Sequence, residues 1–202
     1  DAVDLPALRA EYLAERKEAL ESLALPLREK GLNVETRAIW GHPGYEMIIN
    51  AASGMDLVIV DTRRHAALSR LFLTNDDWQM VRCCPVPLLL VKEKLWKEKP
   101  TILAAVDPMH TRHKPTGLDH KILRVSDEVA KLLDGEVFAV HSYSQGLLSG
   151  AYLKDAKTQH ETAFKELLAD FDISSSRQHL IEEAPEFGLQ QIGQDVTADL
   201  VV

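Results

Sequence analysis

One acidic side chain stands where ligands commonly bind, at the end of a predicted buried strand. Ile102 to Val106 are five consecutive apolar residues without period-two alternation, which is typical of a strand buried on both faces of a parallel sheet. Asp107 and Pro108 stop this run abruptly, so we predict the Asp107 carboxylate at the carboxyl end of a strand over 101–107. Ligands bind at that edge of open α/β sheets. The alternative is an aspartate that only stabilises a turn before proline.

Two further groups of side chains could carry chemistry, and a simpler interpretation is favoured for each. His110, His113 and His120 spread across a loop and a helix start with no partner cysteine or aspartate-rich set, which favours a solvated loop over a metal site. His141 and Ser142 lack the G-x-S-x-G turn that places a hydrolase nucleophile. The sequence therefore predicts neither a catalytic residue nor a metal ligand.

Composition narrows the class of protein. The 202 residues are 46% hydrophobic and 27% charged, which is ordinary for a soluble globular chain with one or two cores. A formal net charge of -8 argues against a general nucleic-acid binder, because such binders neutralise phosphates. The apolar runs are too short for membrane insertion. Cys83 and Cys84 are adjacent, which excludes a disulfide framework and favours reduced thiols, so we predict a cytoplasmic location.

Helices and strands alternate along the whole chain, which indicates mostly parallel sheets with right-handed crossovers. The charged connector 92–100 ends in proline and separates two such units, the first with the order αβαβαβ and the second with the order βαβαβαβ. Helices are predicted at 5–30, 45–53, 76–82, 117–133, 151–170 and 185–194, and strands at 33–40, 56–61, 85–91, 101–107, 136–143, 176–182 and 199–202.

The two units read as partial copies of one α/β domain. Passages 11–60 and 157–202 can be laid over one another, and their similarity is stronger in element order than in residue identity. The chain starts in a predicted helix and stops in a predicted strand, so we expect each domain to be incomplete here. This interpretation assigns 1–94 to the later part of a first domain and 99–202 to the earlier part of a second.

Particular phrases of the sequence resemble the universal stress proteins. "ILAAVDP" at 102–108 opens a unit and "RCCPVPLLLVK" at 82–92 closes one, as in that family. Trp40-Gly41-His42-Pro43 and the stretch 72–92 resemble its tandem-domain branch, and the similarity covers essentially the whole chain. The resemblance implies two Rossmann-like domains of mostly parallel strands flanked by helices. It also implies that domains pair through their last strands, either the two repeats with each other or in a homodimer.

The resemblance further implies a ligand and its site. Many universal stress proteins bind ATP or AMP, with Mg²⁺ accompanying ATP. The acid that follows the first strand in the family falls on Asp107, next to Pro108, and the backbone position after the second strand falls near Ser142. A glycine loop, G-x-x-G-x9-G-[ST], normally cradles the phosphates with its backbone N–H groups. In the second unit that loop would lie beyond Val202.

The first unit departs from this glycine pattern. Laid onto it, the four loop positions are Asp61, Arg64, Thr74 and Asn75, and no glycine occurs from 55 to 116. Side chains would crowd the phosphate path, and the Asp61 carboxylate would repel it. The first unit is therefore predicted to be degenerate and structural.

These observations favour a stress-response binding or signalling module over a dedicated enzyme. The expected partner is a small-molecule nucleotide, with no nucleic acid and no membrane insertion. Two alternatives stay open at this point. One is a scaffold for a non-nucleotide ligand, apolar or amphipathic, held between the repeats. The other is a weakly ATP-hydrolysing α/β enzyme, which would need a glycine-rich loop and a metal-holding acid.

Overall fold

Two α/β units make up the chain, Asp1–Glu93 and Lys94–Val202, called unit 1 and unit 2. The computed structural model describes residues 4–41, 44–61, 75–92, 94–109, 114–144 and 151–202. The helices are α1 (Leu5–Glu29), α2 (Gly44–Ala52), α3 (Asn75–Cys83), α4 (Leu118–Leu133), α5 (Ala151–Leu168) and α6 (Pro185–Asp195). The strands are β1 (Val58–Asp61), β2 (Leu88–Val91), β3 (Thr101–Ala105), β4 (Glu136–Tyr143), β5 (Gln178–Glu182) and β6 (Leu200–Val201), with a 3-10 turn at Ser175–Arg177.

Unit 1 holds the helices α1 to α3 and a parallel pair of strands. The Asp4 side chain accepts the Ala7 N–H at 3.1 Å and so caps the amino end of α1. Gly31 follows the helix with a φ of 85°, a left-handed conformation that glycine adopts without strain. Strands β1 and β2 pair in parallel, from Val58 opposite Leu88 onward. The predicted end of α1 and the predicted parallel pairing are confirmed.

The strand predicted at 33–40 is wrong, because these residues have no regular secondary structure. Side chains of α1 hold this segment instead. Arg28 Nε donates a hydrogen bond to the Val34 carbonyl at 2.8 Å, and the Thr36 hydroxyl donates to the Glu21 carboxylate. The alternation of apolar and polar residues here reflects packing against a helix. Among the described residues, the only strand pairing in unit 1 joins β1 to β2.

Unit 2 is a four-stranded parallel sheet in the order β5-β4-β3-β6. Ile102 and Ala104 belong to a core layer shared with α4 and α5, whereas Leu103 packs in a second layer with Ile192 of α6. The strand β3 is therefore buried on both faces, which explains its unbroken apolar run. The α/β fold class with parallel strands flanked by helices is confirmed.

The strand order places a topological switch point beside β3. From β3 the chain crosses through α4 to β4 and through α5 to β5, and α6 then returns it to β6 on the other side of β3. The order therefore reverses between β3 and β6, and ligands bind at such a switch point, outside the carboxyl ends of the strands. The pairing reaches the end of the chain, since Val202 N donates to the Leu103 carbonyl at 3.0 Å.

The opposite, amino end of this sheet is fastened by Asp199. Its carboxylate is fully buried, accepts the Thr101 N–H at 3.0 Å, and lies 3.4 Å from Lys97 Nζ and 3.5 Å from Lys94 Nζ. Burial alone would raise the pKa of Asp199, but the Thr101 N–H and the Lys97 ammonium together hold the pKa below its ordinary value. The connector before β3 is thus bound to the sheet that follows it.

We expect Asp199 to make the stability of unit 2 depend on acid pH. A carboxylate whose pKa is lowered by folding stabilises fully above the unfolded-state value of about 4, and this stabilisation is lost as pH falls through the folded-state value. Asp199→Asn should lower the unfolding free energy by about 1–3 kcal/mol near neutral pH and flatten its acid dependence. Denaturant titrations at several pH values measure both effects, with Asp195→Asn, at an exposed position, as the control. An unchanged acid dependence in Asp199→Asn would contradict this role.

Candidate functional site

The Asp107 carboxylate lies just after the carboxyl end of β3, at the switch point between β3 and β6. Its side chain is 50% exposed, and Pro108, which follows it, is partly buried. The main chain of Asp107 is fully engaged: its N–H donates to Asp119 Oδ1 at 3.1 Å, and its carbonyl accepts from Lys114 Nζ at 2.7 Å. The protein therefore fixes the backbone of Asp107 and leaves the carboxylate accessible.

A buried ion pair provides both of these backbone contacts. Lys114 Nζ also bonds to the second carboxylate oxygen of Asp119, and the two side chains are only 15% and 12% exposed. Asp119 lies in the first turn of α4, where the helix dipole favours a negative charge. Lys114 and Asp119 are bound to each other and to the backbone of Asp107, so neither is free to contact a ligand. Their role is to position Asp107.

Two histidines lie next to Asp107 and are joined by a hydrogen bond. His141 of β4 is fully buried, and its Nδ1 is 3.1 Å from the Val106 carbonyl and 3.9 Å from Asp107 Oδ1. His141 Nε2 is 2.8 Å from Nδ1 of His160, which lies on α5. The site thus joins the end of β3 to the helix α5 through two imidazole rings.

The surroundings of the two rings favour their neutral forms. His160 is partly buried and stacks on Tyr143 with a ring-centre distance of 4.2 Å. Burial lowers the pKa of His141, and the Asp107 carboxylate opposes that shift. Burial likewise lowers the pKa of His160, again against the effect of Asp107. Burial thus favours the neutral form of both rings, and the charge on Asp107 acts on both of them.

Ser142 faces the other layer of unit 2. Its hydroxyl donates to the Glu183 carbonyl at 2.8 Å, and a Cβ on Gly188 of α6 would lie 2.2 Å from Ser142 Oγ. The Ser142 side chain is therefore enclosed by the α6 layer, while His141 packs with α5 on the opposite face. Ser142 lies on β4, which pairs with β3, the strand that precedes Asp107. That its backbone contacts a ligand stays a prediction.

The predicted phosphate-loop positions of unit 1 are described only in part. Asp61 is exposed at the carboxyl end of β1, and Asn75 begins α3. Arg64 and Thr74 lie outside the described residues. The degenerate loop therefore stays a prediction.

Unit 1 carries a concave surface, which we call the α1 groove. It encloses about 660 Å³. The Arg9 guanidinium lies 5.7 Å from the centre of the Trp40 ring, and the Tyr12 ring meets Trp40 edge-on at 5.6 Å. Aromatic and aliphatic side chains form most of its wall. The residues that line it are Leu5, Pro6, Leu8, Arg9, Ala10, Tyr12, Leu13 and Trp40.

The described ranges of the chain contain no group of three or more His, Cys, Asp or Glu side chains arranged to hold a metal ion. His120, one of the three histidines considered above, lies 3.9 Å from Asp170 at an exposed position, and His110 and His113 fall outside the described residues. None of the helices in these ranges combines the length and apolar character that a membrane span needs.

The sequence pointed to Asp107 but not to the residues that hold it. Lys114, Asp119 and His160 lie 7, 12 and 53 positions after it, on a loop and two helices. One feature of the sequence could have indicated Asp119. It lies in the first turn of a predicted helix, where an acidic side chain is favoured beside backbone N–H groups. His141 and His160 are 19 residues apart, and only the packing of α5 on β4 brings them together.

Comparison with known proteins identifies relatives of the whole chain. The universal stress protein family model matches residues 1–92. Universal stress protein E of Photorhabdus laumondii subsp. laumondii is 27% identical, over 96% of this chain and 67% of its own length. Universal stress protein E of Escherichia coli K12 is 25% identical, over 97% of this chain and 66% of its own length. The chain thus spans about two thirds the length of the curated relatives it matches.

Solved structures show the same fold. A candidate universal stress protein from Pseudomonas aeruginosa UCBPP-PA14 has a TM-score of 0.76 at 23% identity, over 91% of this chain and 65% of that one. A universal stress protein from Archaeoglobus fulgidus DSM 4304 has a TM-score of 0.67 at 16% identity, over 100% of this chain and 70% of that one. These likenesses confirm the Rossmann-like fold. The chain is thus similar to universal stress proteins over nearly its whole length, and the family model matches its first unit.

Proposed function

We propose that unit 2 is the ligand-binding module of a stress-response protein and that it binds an adenine nucleotide beside Asp107. One observation carries the proposal. A half-exposed carboxylate with a fully satisfied main chain lies at the switch point between β3 and β6. Fixed acceptors of this kind give orientation and specificity to small-molecule sites.

The chemistry of Asp107 suits the nucleoside part of such a ligand. A carboxylate accepts hydrogen bonds from hydroxyl or amino groups, which a ribose and an adenine supply, and it repels phosphate. Lys114 is bound to Asp107 and Asp119 and is not available to neutralise a phosphate. We therefore propose that the ribose end of the ligand contacts Asp107 and that the phosphates extend away from it.

We assign unit 1 a structural role in this proposal. The exposed Asp61 carboxylate at the end of β1 would repel a phosphate there. In this proposal the protein binds and releases its nucleotide without hydrolysing it, so it is a binding module and not an enzyme. Incubation of the loaded protein with Mg²⁺, followed by quantification of ATP, ADP and AMP, separates the two: steady hydrolysis would favour the weak ATPase.

The test of the proposed site is the ligand content of the purified full-length protein. Mass spectrometry of small molecules released by denaturation should find an adenine nucleotide in the wild type and in Asp61→Ala, a control at another exposed aspartate, which ends a strand. Asp107→Ala should lose it, with affinity after soaking in ATP and Mg²⁺ weakened about 10- to 100-fold, the worth of one or two charged hydrogen bonds. No nucleotide even after soaking would contradict the proposed function.

A second candidate function has its own observation, the α1 groove. Its apolar wall and the guanidinium of Arg9 would suit an amphipathic ligand with an anionic group. The same mass-spectrometry experiment distinguishes the two. A released amphipathic molecule that persists in Asp107→Ala and disappears in Arg9→Ala would favour this second function.

A further inference from the structure

We propose that His160 is a positioning residue of the Asp107 site and acts through His141. The two rings together take up one proton, and the resulting positive charge pairs with the Asp107 carboxylate in competition with the ligand. This regulation rests on the proposed function of unit 2, but the behaviour of the rings can be tested without any ligand. An unbroken line of contacts runs from His160 on α5 through His141 on β4 to the carbonyl of Val106, the residue directly before Asp107.

The hydrogen bonds fix which nitrogen carries each proton. A carbonyl only accepts, so the 3.1 Å contact with Val106 requires an N–H at Nδ1 of His141. In neutral His141 the other nitrogen, Nε2, is then an acceptor, and the 2.8 Å contact requires an N–H at Nδ1 of His160. The Nε2 of neutral His160 is consequently the one basic nitrogen of the pair.

The pair can therefore gain a single proton and keep its hydrogen bonds. A proton added at Nε2 of His160 leaves both existing bonds intact. If the proton between the rings then moves from His160 Nδ1 to His141 Nε2, the positive charge moves to His141 with no net change in protons. A second proton would place two N–H groups against each other and break the bond between the rings. The two histidines thus titrate as one coupled group.

The charge on the pair acts on Asp107. His141 Nδ1 lies 3.9 Å from Asp107 Oδ1, so an imidazolium there forms an ion pair with this carboxylate. Asp119, the other carboxylate that acts on His141, does not compete because it is held by Lys114. Tyr143 presents only the face of its ring to His160. A nucleoside hydroxyl must then displace an ionic partner from Asp107, so protonation weakens binding.

The direction of the pH effect follows from the same groups. Burial lowers the pKa of His141 and of His160, and Asp107 partly offsets this. The proton is therefore taken up below the ordinary histidine value of about 6.5, and ligand affinity should fall as pH falls through that lower range. A neutral nucleoside is the appropriate probe, because the phosphate of a nucleotide itself titrates near pH 6.

The first experiment needs no ligand. Nitrogen-15 histidine NMR of the full chain, from about pH 8 to about pH 5, should show both rings as Nδ1–H tautomers when neutral. It should also show one shared proton uptake. In Asp107→Asn the pKa of the pair should fall, because the attracting carboxylate is gone. Two independent titrations, or a pair unaffected by Asp107→Asn, would overturn the inference whether or not a nucleotide binds.

The second experiment measures the effect on binding. Isothermal titration calorimetry with adenosine should give a wild-type affinity that falls about tenfold from about pH 7.5 to about pH 5.5. This tenfold change corresponds to a shift of about one unit in the pKa of the histidine pair between the free and the bound protein. His160→Asn keeps an N–H donor but cannot titrate, so its profile should be flat; His120→Asn, at an exposed histidine, should follow the wild type. An equal pH dependence in His160→Asn would overturn the inference. Absence of adenosine binding at every pH, with the NMR result intact, would instead count against the proposed function.

Discussion

Asp119→Ala is expected to lower the unfolding free energy of unit 2 by about 3–5 kcal/mol, because removing one partner of a buried ion pair leaves the other charge without compensation. The change removes the partner of Lys114, whose side chain is only 15% exposed. It also removes the acceptor of the Asp107 N–H. Denaturant unfolding of the full chain, with hydrogen exchange to locate the loss in unit 2, measures the effect. Nucleotide affinity should fall in parallel, since the backbone of Asp107 is no longer fixed.

Two companion variants separate this mechanism from a general sensitivity of α4. Asp127 pairs with Lys131 on the same helix, but their side chains are 48% and 74% exposed. Asp127→Ala should therefore cost less than about 1 kcal/mol. The double variant Asp119→Leu with Lys114→Met replaces the pair by apolar side chains and should recover much of the stability. Nucleotide affinity should stay low in the double variant. A loss in Asp119→Ala no larger than in Asp127→Ala would contradict the account.

Leu103→Ala is expected to destabilise unit 2 by about 2–5 kcal/mol, since it opens a cavity in the middle of the sheet. Leu103 is fully buried, packs with Val140 and Ile192, and pairs with Val201 of β6. Calorimetry of the full chain should show a lower transition temperature for unit 2. The control is Leu132→Ala, at a side chain that is 83% exposed, which should change stability by less than about 0.5 kcal/mol. Similar losses in both variants would contradict the assigned core.

The sequence predicted the elements that are buried on two faces better than those that are buried on one. The unbroken apolar run of β3 is typical of a strand inside a parallel sheet, and the structure has this strand from Thr101 to Ala105. Segment 33–40 alternates apolar and polar residues. Strands show this pattern, and so do extended segments that pack against a helix. The state of segment 33–40 depends on whether a strand edge is available beside it, which local sequence does not determine.

The same contrast holds for the candidate site. The position of Asp107 follows from where an apolar strand ends, and ends of parallel strands share one edge of the sheet. The Lys114–Asp119 pair and the His141–His160 bond depend on how α4 and α5 pack against β3 and β4. Side chains of this kind carry no local pattern, because lysine and aspartate occur mostly at exposed positions and histidine occurs at exposed and buried positions alike. Only the tertiary structure brings them to Asp107.

The most direct test of the ligand site is amide NMR of the full chain titrated with ATP and Mg²⁺. We expect shift changes concentrated at the carboxyl ends of β3 and β6, around Asp107, Lys114 and Val202. These changes should be absent from Asp107→Ala at the same ligand concentration. Changes confined to unit 1, or to the amino end of the sheet around Asp199, would contradict the proposed site.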